Sequence, residues 1–398
     1  MQTELDRRDF IKSCSAGTLT ALTCGLSDTL TAAVAEPPAA KPSYDCIVLG
    51  LGAMGSSCLY QLAKRGASVL GLEQFDIAHV LGSSGGISRQ TKIAPYLGGP
   101  NEPLIRRANK NWHDLEKDSG QQVFHHCGYL RLGVNQKLVR GKGTKIELFD
   151  ESELRRRFPQ FQQLPPGTNG LFDHHGGLLR CELAIASHCD VALRRGAHIR
   201  AQEPATGWTT DTDGVTVTTS RGLYRAKHLV IAAGAWNAKL VPQFRDKLQV
   251  TRLSLGWFAP EKPASFAVQN FPIWEHGSYY GFPVLPDFPG LKVGKHWKGD
   301  PTDPDKVDRT PNARDEKLVR DYLGIHLPSA NGSILAFKVC MYTHGGPWLG
   351  PLPGEKRVTF IAACNGGGFK FSSAYGEALA DLATEGRTEL PVQFMRLG

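Results

Sequence analysis

The sequence predicts a mixed α/β (α+β) chain, in which a parallel sheet is assembled from separated stretches and a mostly antiparallel sheet is inserted between them. Three observations carry this reading. An apolar run, Tyr44-Asp45-Cys46-Ile47-Val48-Leu49, passes straight into Gly50-Leu51-Gly52-Ala53-Met54-Gly55. Two further apolar runs that end in small residues, 227–236 and 358–364, lie far down the chain. Between these, 123–177 and 244–343 carry short β-rich runs such as Cys127–Gly133 and Gly277–Phe282, separated by dense Pro and Gly punctuation.

Composition bounds the rest. With 398 residues, 41% hydrophobic and 21% charged, the chain is long enough for roughly two or three domains with real cores. Gly (44) and Pro (25) follow no period and apolar residues are plentiful, which excludes collagen-like, coiled-coil and disordered classes. No uncharged apolar run approaches the roughly 20 residues that span a bilayer. The net charge of +8 comes without any Lys/Arg block, so there is no electrostatic case for nucleic acid.

Residues 1–35 read as an address. Arg7-Arg8-Asp9-Phe10-Ile11-Lys12 is a twin-arginine pattern, an apolar stretch from Ser15 to Leu26 follows, and Ala33-Val34-Ala35 is a cleavage site of the A-x-A type. Residues 36–43, rich in Pro, form a linker. The expectation is a chain exported to the periplasm already folded by the twin-arginine machinery, a route suited to a protein that acquires its cofactor in the cytoplasm. Of nine cysteines, Cys14 and Cys24 leave with the leader, and Cys46, Cys58, Cys127, Cys181, Cys189, Cys340 and Cys364 remain. That odd set has no C-x-x-C, so neither a metal site nor a disulfide scaffold is expected.

The glycine motif gains its force from context. It lies between a strand and a helix that runs to about Arg65, with Gly66 as C-cap, and a second strand, 68–72, ends in Glu73, an acid 23 residues after Gly50. Gly50 permits the tight turn, Gly52 lets backbone approach a pyrophosphate, and Gly55 lets helix pack on strand. The helix N-terminus offers N–H groups to phosphate, and Glu73 accepts from ribose hydroxyls. This is a Rossmann-type dinucleotide entry, and it leaves FAD and NAD both open. Runs 227–236 and 358–364 read as strands of the same sheet. The nucleotide domain is therefore discontinuous, at 44–122, 178–243 and 344–398, and 123–177 with 244–343 form the substrate domain. Such interleaving is more typical of large flavoproteins than of nicotinamide dehydrogenases.

From Tyr44 to the C-terminus the chain resembles the monomeric sarcosine oxidase and N-methyl-L-tryptophan oxidase group of the D-amino-acid-oxidase-like flavoproteins. The resemblance rests on the Rossmann entry with Glu73, then on Gly82-Ser83-Ser84-Gly85-Gly86-Ile87-Ser88-Arg89, Tyr279-Tyr280-Gly281-Phe282-Pro283 and Gly290-Leu291-Lys292-Val293-Gly294-Lys295-His296. Val339-Cys340-Met341-Tyr342-Thr343 and Gly368-Phe369-Lys370-Phe371-Ser372-Ser373 complete it. It implies FAD bonded through sulfur to Cys340, which stands at the end of the run 334–339, with nearby positive groups holding the thiolate ionised. It places Lys292 over the flavin, where a fixed ammonium stabilises charge developing on oxygen. A lysine between Leu and Val on a strand would otherwise face solvent. His296, four residues on and on the same strand face, lines the substrate pocket together with Tyr280 and Tyr342. Lys370 and Lys92 form the carboxylate clamp, with lysine at 92 where sarcosine oxidases carry arginine. Ser88, Arg89, Gly366 and Lys370 lie near the cofactor.

Two departures from the family pattern stand out. His344-Gly345-Gly346-Pro347-Trp348-Leu349-Gly350-Pro351 replaces an acidic stretch, and Asn365-Gly366-Gly367 replaces Ser-Gly-His. The resemblance implies a monomeric oxidase of an N-methyl or cyclic secondary amino acid that yields an imine and hydrogen peroxide. Three alternatives stay open: a flavin dehydrogenase serving a quinone or carrier, against which Lys292 argues; a catalytically silent flavin-binding protein, for which the altered loops speak; and an NAD-dependent dehydrogenase, which Cys340 and the interrupted domain disfavour.

Overall fold

In the computed structural model, residues 44–134 and 145–397 are described. The twin-arginine leader, Cys14, Cys24 and the linker lie outside the described residues. The entry unit is β1 (Tyr44–Leu49), α1 (Ala53–Lys64) and β2 (Val69–Leu72). Next come β3 (Ser88–Thr91), α2 (Glu102–Ser119), β4 (Phe124–His125), β5 (Tyr129–Leu132), β6 (Ile146–Phe149), α3 (Glu151–Arg157), β7 (Gly170–Asp173) and β8 (Gly177–Arg180). The chain returns through α4 (Cys181–Arg194), β9 (His198–Arg200), β10 (Ala205–Thr210), β11 (Val215–Thr219), β12 (Gly222–Ile231) and α5 (Asn237–Leu240). A second excursion holds β13 (Gln249–Phe258), β14 (Ile273–His276), β15 (Tyr279–Phe282), β16 (Leu291–Lys295), β17 (Asp300–Pro301), α6 (Ala313–His326) and β18 (Ile334–His344). The described chain closes with β19 (Trp348–Leu352), β20 (Glu355–Ala362) and α7 (Ser372–Glu385).

The first sheet has eight strands, ordered β10-β11-β12-β1-β2-β9, with β20 beside β12 and β19 beside β20. Its centre is parallel: β1 pairs with β2 and β12, and β12 with β20. Strands covered on both faces must be apolar at successive positions, and Cys46–Leu49 and Leu229–Ile231 are buried throughout. Val48 and Val230 meet Leu59, Leu62 and Leu379 of α1 and α7 on one face. Ile47, Leu49, Leu229 and Ile231 meet Phe244 and Phe360 on the other.

The second sheet has nine strands, ordered β17-β13-β16-β15-β14-β5-β7-β6, with β18 on β13. Its pairs are antiparallel apart from β14 with β5. One face packs Phe258, Trp274, Leu291 and Val293 against Val319, Tyr322 and Leu323 of α6. The alternation of side chains turns the intervening residues toward the nucleotide layer. The apolar run expected to end at residue 339 continues to His344, so Cys340 lies within β18, opposite Leu253. It does so because β13 offers backbone partners all the way from Gln249 to Phe258. A three-stranded sheet, β3-β8-β4, carries Ser88–Thr91.

Candidate active site

The nucleotide end follows from the first turn. Gly50 has φ +83°, and a Cβ there would stand 2.7 Å from the Ala232 carbonyl oxygen, so only glycine fits. At Gly55 an added Cβ would fall 1.8 Å from the Gly50 oxygen, so this glycine seats α1 on the turn and does not itself face the cavity. Glu73 is buried, and its carboxylate accepts from the Leu51 N–H at 2.7 Å and the Phe75 N–H at 3.0 Å. Fixed from behind, it lines a cavity that it shares with Gly50 and Gly52. A cradle of backbone with no room for a Cβ, followed by an anchored carboxylate, fits a dinucleotide's pyrophosphate and ribose.

The same cavity continues to the substrate sheet, where Arg89, Tyr280, His296, Cys340, Tyr342, Gly366 and Lys370 line it. Register explains the convergence, because Tyr280 opposes Gly294 and Phe282 opposes Lys292, while Leu255 opposes Gly294 and Leu253 opposes Cys340. Directly opposed residues share a face. Tyr280 and His296 rings lie 4.5 Å apart, and the Tyr342 hydroxyl is 3.1 Å from His296 Nδ1. The surrounding protein desolvates the His296 ring and lowers its pKa to about 4, although the residue as a whole is exposed, so the imidazole is neutral at pH 7.

Lys292 and Ser88 stand behind the cavity wall. Lys292 is 1% exposed, and its Nζ donates to the carbonyl oxygens of Gly86 at 2.7 Å and Ser88 at 2.6 Å. Burial, helped by Arg89, lowers its pKa to about 7. Arg89 donates to the carbonyls of Ser88, Ser83 and Gly85. Glu182, a residue the sequence reading does not single out, accepts from the N–H groups of Gly86 and Ile87 and pins the same turn. Cys340 is not the ready thiolate expected from its neighbours. Burial raises its pKa, and Arg89 and Lys292 only partly oppose this.

The carboxylate clamp is also different from expectation. Lys370 donates to the Gly367 carbonyl at 2.7 Å, and burial lowers its pKa to about 8. Lys92, however, is ion-paired with Glu275 and donates to Gln90 Oε1 at 2.8 Å. Glu275 lies opposite Tyr280 across the β14–β15 hairpin. The two-residue turn Gly277-Ser278, with Gly277 at φ +57°, is the sequence signal that would have placed it there.

The two altered loops clasp each other. Asn365 Oδ1 accepts from the Gly345 N–H, Asn365 Nδ2 donates to the Gly346 carbonyl, and the Asn365 N–H reaches the Thr343 carbonyl. His344 turns to Thr251 and the Lys298 carbonyl. Gly366 is required because a Cβ there would lie 2.4 Å from the Tyr342 ring. All seven cysteines among the described residues are free thiols.

A Rossmann turn opening onto an antiparallel substrate sheet defines a dinucleotide-dependent oxidoreductase of the flavoprotein type. The chain belongs to the family described as FAD dependent oxidoreductase, whose model matches residues 45–382. It is similar to the monomeric sarcosine oxidase of Streptomyces avermitilis, 34% identical over 381 residues, covering 88% of this chain and 96% of the relative. It is similar also to the N-methyl-L-tryptophan oxidase of Citrobacter koseri, 30% identical over 359 residues, covering 85% and 94%. Among solved structures, NikD, described as an unusual amino acid oxidase essential for nikkomycin biosynthesis, matches with a TM-score of 0.76 and 26% identity, covering 88% of this chain and 96% of that one. The protein is an FAD-dependent oxidoreductase.

Proposed function

We propose that this chain is an exported, monomeric, FAD-dependent oxidase of a secondary amino acid, N-methyl or cyclic, with the flavin joined through Cys340. The observation that carries the reading is the single cavity running from Glu73 to Cys340, His296, Tyr342 and Lys370. The printed names of the relatives, sarcosine and N-methyl-L-tryptophan oxidases, support the substrate class. The leader Arg7-Arg8 followed by Ala33-Val34-Ala35 supports export.

Lys370 holds the substrate carboxylate, because among the described residues its ammonium is hydrogen-bonded to the Gly367 carbonyl alone and otherwise lies over the Phe371 ring. Neutral His296, held by Tyr342, receives the amine without repelling it. A flavin held in this cavity would supply a two-electron acceptor for the substrate's α C–H bond and pass those electrons to O2. The substrate loses two protons with those electrons and leaves as an imine, which water hydrolyses, and O2 leaves as H2O2. Lys292, fixed behind the wall with Arg89 at hand, supplies positive charge beside the oxygen site.

The decisive test combines two readouts. Adding N-methyl amino acids or proline anaerobically should bleach the flavin, and readmitting air should restore it with one H2O2 per turnover. Bleaching without oxygen-driven recovery would point to the dehydrogenase, and no bleaching across the panel to a silent binder. After acid precipitation the yellow colour should stay in the pellet, and Cys340→Ser should move it to the supernatant. Replacing Arg7 and Arg8 by lysine should leave the enzyme in the cytoplasmic fraction.

A further inference from the structure

The cavity contains one acid for which the oxidase reaction has no use. Glu275 lines it beside Lys92, Gln90 and His296, whereas the other lining acids, Glu73, Glu203 and Asp305, stand at the nucleotide end. Its side chain is 14% exposed, and one oxygen takes Lys92 while the other accepts from the Tyr129 hydroxyl at 2.7 Å. Arg131, at 3.6 Å, is beyond hydrogen-bond reach. A carboxylate offers about four acceptor sites, so Glu275 keeps capacity toward the cavity. Burial acts to raise its pKa, but Lys92, Tyr129 and Arg131 overcome this and hold it down at about 2, so it is charged throughout the working range.

Pairing changes the charge pattern that a ligand meets. Lys92 and Glu275 cancel, Arg89 is spent on carbonyl oxygens, and Lys370 is left as the cation open to a carboxylate. We infer that Glu275 is a specificity-determining residue: it accepts an N–H or ammonium donor from the substrate's side chain while Lys370 holds the carboxylate. The preferred class is therefore a secondary amino acid with a basic or N–H-bearing side chain, and a second acid is disfavoured because two carboxylates, both acceptors only, leave each other without a donor. This deepens the amino acid oxidase reading above and rests on it.

The test uses flavin-loaded protein and two probes of equal length, 5-aminopentanoate and glutarate, followed by the shift in flavin absorbance. The amino acid should bind at least about tenfold tighter than the diacid, the scale of one charge-assisted hydrogen bond. In Glu275→Gln the ratio should collapse to within roughly threefold, with glutarate gaining affinity. A wild-type protein that binds glutarate equally well or better overturns the inference, and that measurement decides alone if the variant does not fold. So does an unchanged ratio in a Glu275→Gln protein that keeps the wild-type flavin spectrum. These titrations need no turnover: failure of every secondary amine to bleach the flavin sinks the oxidase reading, while the binding ratio still judges Glu275.

Discussion

Three lysines at the site differ in what opposes their charge, and this difference fixes their chemistry. Lys92 keeps an acid, Lys292 keeps two carbonyls in near-complete burial, and Lys370 keeps one carbonyl at the cavity. Lys370, lowered to about 8, is charged below that value and neutral above it. Affinity for a non-reacting carboxylate should therefore be flat to about pH 8 and then fall by about tenfold per unit, a dependence that Lys370→Met abolishes. The loss in Lys370→Met at pH 7 should be about ten- to a hundredfold in Kd. Lys292 bears on Cys340 as well, since its charge lowers the thiol's pKa against burial. Removing that charge in Lys292→Met leaves less thiolate. The proposed covalent attachment, timed as acid-stable yellow after FAD is added to apoprotein, should slow by about tenfold, and raising the pH should restore it.

At the scale of elements, the strand–turn–helix unit is the tightest. Gly55 on α1 has the Gly50 carbonyl where a side chain would go, so Gly55→Val must push α1 off the turn. The expected result is about 3 kcal/mol of destabilisation with loss of FAD retention, read by denaturant unfolding and by flavin content after desalting. Much of this unit is legible in the sequence, because Gly50, Gly52, Gly55 and Glu73 are local to one strand, turn and helix. The β14–β15 hairpin is legible in principle from Gly277-Ser278. What it sets beside Lys92 is not, because β3 and β14 are separated by nearly two hundred residues and belong to different sheets.

The two large sheets are coupled through the cavity that residues of both line. The described residues all belong to one compact unit, so unfolding of the nucleotide and substrate layers should be a single transition. Residues of both layers line the cavity, so FAD held there would bind only the folded chain and raise Tm. In Cys340→Ser that rise should grow with added FAD as RT ln(1 + [FAD]/Kd), about 2.7 kcal/mol at a hundredfold excess over Kd. With the flavin tethered through Cys340 as proposed, the wild-type Tm should not respond to added FAD. Differential scanning calorimetry separates the two behaviours.

Local order alone determined the Rossmann entry, the separated parallel strands and the resemblance built on those motifs. Only the tertiary structure decided that Lys92 is neutralised by Glu275, that Lys292 is walled off behind the turn it caps, that burial keeps Cys340 protonated, and that the two altered loops hold each other. The reason is range. Backbone periodicity and glycine geometry act over a few residues and can be read along the chain, whereas ion pairing and desolvation depend on which distant side chains folding brings within a few ångströms.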